Sequence, residues 1–87
     1  MNRKSVTRAR RKEIMRLGRI TEERWLSRDD DGTKYPKKDR GYTVHAEVNG
    51  YSIIAPDYNR FEAFKGMLEA ARWAAEQKPF EKPSENQ

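Results

Sequence analysis

Between residues 42 and 55 apolar and polar positions alternate with a period of two. Tyr42, Val44, Ala46 and Val48 are separated by Thr43, His45 and Glu47; Asn49-Gly50 follows, and then Tyr51-Ser52-Ile53-Ile54-Ala55. This is the pattern of a half-buried strand, a two-residue turn and a second strand. Asn-Gly accepts the positive φ that a type I′ turn demands at both central positions. A turn of two residues also fixes the register, with Val48 opposite Tyr51, Ala46 opposite Ile53 and Val44 opposite Ala55. All six then lie on one apolar face, and Thr43, His45, Glu47, Ser52 and Ile54 on the other. Pro56 is expected to end the second strand, because it brings no N–H to a ladder.

From residue 60 the period changes to that of a helix. Asn59 followed three residues later by Glu62 is a capping box, and Tyr58 stands where a hydrophobic staple begins. Phe61, Phe64, Leu68, Ala71 and Ala75 fall within about 80° of one another on a helical wheel, a stripe suited to covering the sheet. Lys78-Pro79 closes the helix, and residues 79–87 are expected to form a loose, disordered polar tail. A second flank is also poor in charge. Gly66, Ala70 and Ala74 recur every four residues, with Ala63, Met67 and Trp73 beside them. Such a flank either receives the N-terminal helix or forms a protein interface at Gly66, Ala70 and Trp73, including a homodimer through this last helix.

The first half is less regular. Ser5–Leu17 has helical spacing, with Val6, Ala9, Ile14 and Leu17 toward one side, Ser5 as a candidate N-cap and Gly18 as the stop. Residues 20–27 fit a strand with Thr21, Glu23 and Trp25 on one face, or a short helix capped by Thr21. A strand is preferred, since a lone hairpin is marginal and a third strand completes a sheet. Asp29-Asp30-Asp31-Gly32 is a turn signal, and the stretch from there to Gly41 is expected to be a basic loop. The fold class is therefore α+β. A basic N-terminal arm (1–19) is followed by a compact domain (20–78), in which helix 60–77 packs on one face of a small antiparallel sheet.

Charge changes this picture more than composition does. Residues 1–19 hold eight bases and one acid, a net +7; residues 20–41 balance, and residues 42–87 carry −2. The excess of +5 over the whole chain is thus confined to the arm, which points to a polyanion as target. With no cysteine and a single histidine, disulfide frameworks, thiolate metal sites and multi-histidine sites are excluded. No apolar run approaches the length of a membrane span, and no signal-peptide core follows the N-terminal charges, so a cytoplasmic protein with no membrane partner is the expectation. An Arg-rich, acid-poor start is also the composition of an organellar transit peptide. Asp29–Asp31 lack the alternate spacing of a calcium loop, and His45, with Glu47 as its same-strand neighbour, belongs to no nucleophile constellation. Neither an enzyme nor a cofactor is expected.

The residue types favour non-catalytic nucleic-acid binding. Arg8, Arg10, Arg11, Lys12, Arg16 and Arg19 would contact phosphates, with Lys37, Lys38 and Arg40 as a second cluster near the potential stacking residues Tyr35 and Tyr42. The alternative is a small phage- or plasmid-type inhibitor or adaptor that docks on a host enzyme or nucleoprotein complex through Trp73. The order helix, three strands, helix, with Ala46-Glu47-Val48-Asn49-Gly50 in the hairpin and Glu62-Ala63 near the start of the last helix, resembles a double-stranded-RNA-binding domain. The lysine cluster and the glycine-proline-histidine loop of that family are missing, so the resemblance implies its topology and not its usual RNA contacts. Residues 19–77 also look like the sheet-plus-helix DNA-binding domains of tyrosine recombinases and plant AP2 proteins. There a three-stranded sheet enters the major groove, although the long 28–41 loop departs from that pattern. No site residue is carried over from either family.

Overall fold

The computed structural model describes residues 2–26, 32–34 and 40–80. The chain runs α1 (Arg3–Leu17), β1 (Arg19–Leu26), β2 (Gly41–Val48), β3 (Tyr51–Asp57) and α2 (Arg60–Glu76). The three strands form one antiparallel sheet in the order β1-β2-β3, an α+β fold. Residues 20–26 are therefore strand. Asn49 and Gly50 take φ of 55° and 84°, and the β2–β3 register is the expected one throughout.

Two expectations about the strands need correction. First, Pro56 does not end β3. The turn makes Val48 and Tyr51 a hydrogen-bonded pair, so Pro56, opposite Thr43, falls at a non-bonded pair where its missing N–H would point away from β2. β3 lies at the sheet edge, which is where a strand tolerates proline. Second, the pairing of β1 slips between Ile20 and Glu22, leaving Thr21 in a bulge. Ile20 takes the place expected of Thr21 and joins Glu23 and Trp25 on the helix-covered face. Thr43 does lie on the open face, as expected, although it is only 3% exposed.

Both helices cover the face that carries Tyr42, Val44, Ala46 and Val48; α1 lies beside β1 and α2 over β2 and β3. They run in the same direction, since Arg3 and Arg10 of α1 meet Phe61 in the first turn of α2 while Glu13 reaches Arg72. Ile14, Phe64 and Met67 fill the space between helices and sheet with no exposed surface. Burying a side chain of this kind stabilises the fold by roughly 1.5–3 kcal/mol. The α2 stripe is rotated from the expected one: Ala63, Met67 and Ala74 are buried with Phe64, Leu68 and Ala71, while Phe61 is half-buried and Ala75 exposed. In α1 the buried residues are Thr7 and Ile14, and Ala9 is exposed.

The helix ends follow local chemistry. Asn59 Oδ1 accepts from the Glu62 N–H at 2.9 Å, a cap worth about 1 kcal/mol. Tyr58 is 81% exposed, so the expected staple does not form. Asn2, not Ser5, caps α1; the Ser5 N–H donates to its Oδ1 at 2.8 Å. Gly18 does stop α1, but with extended backbone (φ −172°). A Cβ there would lie 2.2 Å from the Glu47 carbonyl oxygen, so glycine is needed for the close approach of β2. The last turn of α2 has no basic residue. Its carbonyls are met by the hairpin instead: Asn49 Nδ2 donates to Ala74 O at 3.0 Å and to Gln77 O at 2.8 Å. The following segment is docked, with Tyr51 Oη donating to Lys78 O and Phe80 N to Asn49 O. The polar tail expected from residue 79 thus begins with an anchored Phe80; residues 81–87 lie outside the described residues.

Candidate nucleic-acid interface

Helix α1 divides its charges by face. Lys4, Arg8, Lys12 and Arg16 recur every four residues, each step one turn plus about 40°. They form an exposed ridge about 18 Å long that winds through about 120° of the helix surface. All four are exposed, and none has a hydrogen bond or ion pair among the described residues. The other bases of this segment are committed to the fold. The Arg3 and Arg10 guanidinium groups lie 4.8 and 4.7 Å from the Phe61 ring centroid. Arg11 donates to Glu23 Oε2 through Nε and Nη2, at 3.1 and 2.9 Å. Arg19 pairs with Glu47 across the sheet at 2.7 Å.

Glu23 is the hub of this arrangement. The β1 bulge places it on the helix-covered face, where it also lies 3.7 Å from Arg60 Nη2 and accepts a long 3.5 Å contact from Tyr42 Oη. The hydrogen bond to Glu23 raises the Arg11 pKa above its ordinary value, partial burial opposes this, and the charge of Glu23 and then Tyr42 add to it. Arg11 is therefore a fixed cation. Lys4, Arg8, Arg11 and Arg60 together line an open cleft of about 400 Å³. The first turn of α1 contains no acid and holds Arg3 and Lys4 against the positive end of the helix dipole. That placement costs about 0.3–1 kcal/mol per charge, and a bound anion would offset it.

Of the expected phosphate contacts, the structure brings Arg8, Lys12 and Arg16 into one row and puts Arg11 at its flank. Arg10 and Arg19 are turned to packing and pairing. Arg40, like Lys34, is exposed; Lys37, Lys38, Tyr35 and Asp29–Asp31 lie outside the described residues. Lys4 and Arg60 are additions to the expected set. The four-residue recurrence announces Lys4, whereas Arg60 meets α1 only through the packing of the two helices. Tyr42, expected as a stacking residue, is 5% exposed, belongs to the core and meets the exposed Trp25 edge-on.

Other sites offer less to a polyanion. A second cavity of about 470 Å³ near the hairpin is lined by Gly18, Arg19, Glu47, Gly50, Ser52 and Phe80, and its Arg19–Glu47 pair cancels its charge. His45 pairs with Glu22 Oε2 of β1 at 3.3 Å rather than with Glu47. No cluster of three metal-ligating side chains occurs among the described residues, and none of the described helices is long and apolar enough to cross a membrane. The flank of α2 holding Gly66, Ala70 and Trp73 does not receive α1, whose contacts run through Phe61 and Arg72 on the opposite side. Gly66 and Ala70 are half-buried, and Trp73 is 55% exposed with its ring edge-on to Tyr51. Comparison with protein-family models, with curated proteins and with solved structures gave no match for this chain.

Proposed function

We propose that this protein binds nucleic acid through phosphate contacts from α1, without catalysis. The observation that carries the proposal is the division of charge on one helix: four exposed, unpaired bases in a single row, with the remaining bases used in packing and ion pairs. A helix stabilised only for its own fold gains nothing from like charges four residues apart, each such pair costing about 0.2–0.5 kcal/mol. The ridge offers charge and charge-assisted donors to a phosphodiester backbone, which DNA and RNA share, and Arg11 and Arg60 border it as positive charges held within the fold. Fluorescence anisotropy with short labelled DNA duplexes, RNA duplexes and single strands at about 50 mM salt tests this. Salt-sensitive binding to at least one of them is expected. Failure to bind any of the three would remove the proposal.

Glu23 acts in this scheme as an internal competitor, a carboxylate already occupying Arg11 and bordering Arg60. Glu23→Gln is therefore expected to tighten binding severalfold, because it frees one guanidinium and removes a negative charge from beside the cleft. Side-by-side anisotropy titrations of the two proteins check this, and a variant that binds more weakly would assign Arg11 to structure alone.

A further inference from the structure

The two edges of the sheet are unlike. The β1 edge carries Arg19, Glu22, Glu23 and Arg24 and is kinked by the Thr21 bulge, devices that keep an edge from pairing with another chain. The β3 edge has no bulge and no charge from Tyr51 to Pro56. Ser52 and Ile54 sit at non-bonded pairs with β2, so their N–H and C=O groups point outward, and no strand among the described residues meets them. Ile54 is 62% exposed.

We propose that β3 pairs antiparallel with β3 of a second copy of this chain, making a six-stranded sheet. A two-fold axis at Ile53 puts Ser52 opposite Ile54 of the second copy and closes four main-chain hydrogen bonds without calling on Pro56. Three further observations select a second copy as the occupant. The first is the position of α2, which lies over β2 and β3. With strands about 4.8 Å apart, the two α2 helices would stand about 10 Å from each other, the upper end of the spacing of packed helices.

The second is what faces the axis. Ile53 is about 7 Å along β3 from Tyr51, and Tyr51 contacts Trp73. Since α2 runs back along β3, the same distance from Trp73 falls about four to five residues earlier, between Gly66 and Ala70. The small residues thus stand where the helices would touch, with Trp73 at the rim. A Cβ on Gly66 would meet nothing within 4 Å inside one chain, so its own fold does not need that gap. The third is charge: α1, which holds the excess positive charge, lies on the β1 side of the sheet, so two copies approach through their neutral flanks.

Sedimentation equilibrium from about 10 to 300 μM spans the affinities of modest dimers and tests this. The expected species is twice the 10.3 kDa chain mass. Ile54→Lys puts a charge on the edge and should return the protein to monomer. Gly66→Leu should do the same while raising the thermal midpoint of the monomer, since it adds a good helix former in open space. That combination separates a lost interface from a damaged fold. A wild-type monomer over the whole range would overturn the proposal, leaving the edge to a different partner. So would a dimer that survives both substitutions.

Discussion

Replacing Lys4, Arg8, Lys12 and Arg16 together by glutamine is expected to weaken nucleic-acid binding on the order of a thousandfold or more at about 50 mM salt. Each phosphate neutralised releases counterions, and at low salt this entropy is most of the affinity of a sequence-independent contact. The same variant should be as stable as the wild type or slightly more so. Glutamine matches lysine and arginine in helix propensity, and three like-charged pairs along α1 disappear. None of the four side chains has a partner among the described residues to lose. Anisotropy titration and thermal unfolding of the same preparation check both halves. Loss of stability together with binding would mean that the ridge supports the fold; undiminished binding would place the contact elsewhere.

The second large effect concerns the frame that holds the ridge. Phe64 is fully buried between α2 and the sheet, with its ring 6.3 Å from Tyr42 and under the Arg60 guanidinium at 4.9 Å. Phe64→Ala removes the contacts and leaves a cavity, together costing about 3–5 kcal/mol. Small domains hold about 5–15 kcal/mol in total, and a chain of this size stands near the lower end. The midpoint of thermal unfolding should fall by roughly 15–30 °C, or the cooperative transition should vanish. Trp25→Ala, at a side chain 61% exposed, should cost much less. Circular dichroism melts of the two variants give the comparison, and equal losses would contradict the assignment of the core to α2 rather than to the end of β1.

The parts of this fold legible in sequence are those set by neighbours in the chain. Asn49-Gly50 imposes the hairpin and its register, and Asn59 with Glu62 imposes the start of α2, through bonds that span a few residues. The parts that escaped depend on distant partners. The Thr21 bulge puts Ile20, not Thr21, on the helix-covered face with Glu23 and Trp25, and nothing local to residues 20–22 announces it. It delivers Glu23 to Arg11 and Arg60, so the division between free and committed arginines was hidden with it. Which flank of α2 meets α1 is not set by apolar spacing, which marks both sides of the helix. Arg3 and Arg10 settle the matter by packing on Phe61, a cation–aromatic contact that a scale of hydrophobicity reads as polar. Lys4 was within reach of the sequence, since its spacing with Arg8, Lys12 and Arg16 is regular.

The eight bases of residues 1–19 are thus of two kinds, four available to a ligand and four paired or packed within the fold, and the salt dependence of binding counts the first kind directly. The measurement is the slope of log K against log salt for the wild-type protein on a generic duplex between about 50 and 200 mM. Four phosphate contacts give a slope of about −3.6, which is the expected result. A slope of about −7 would mean that all eight N-terminal bases reach phosphates and that the committed set is not committed. A slope near zero would contradict phosphate recognition by α1 altogether.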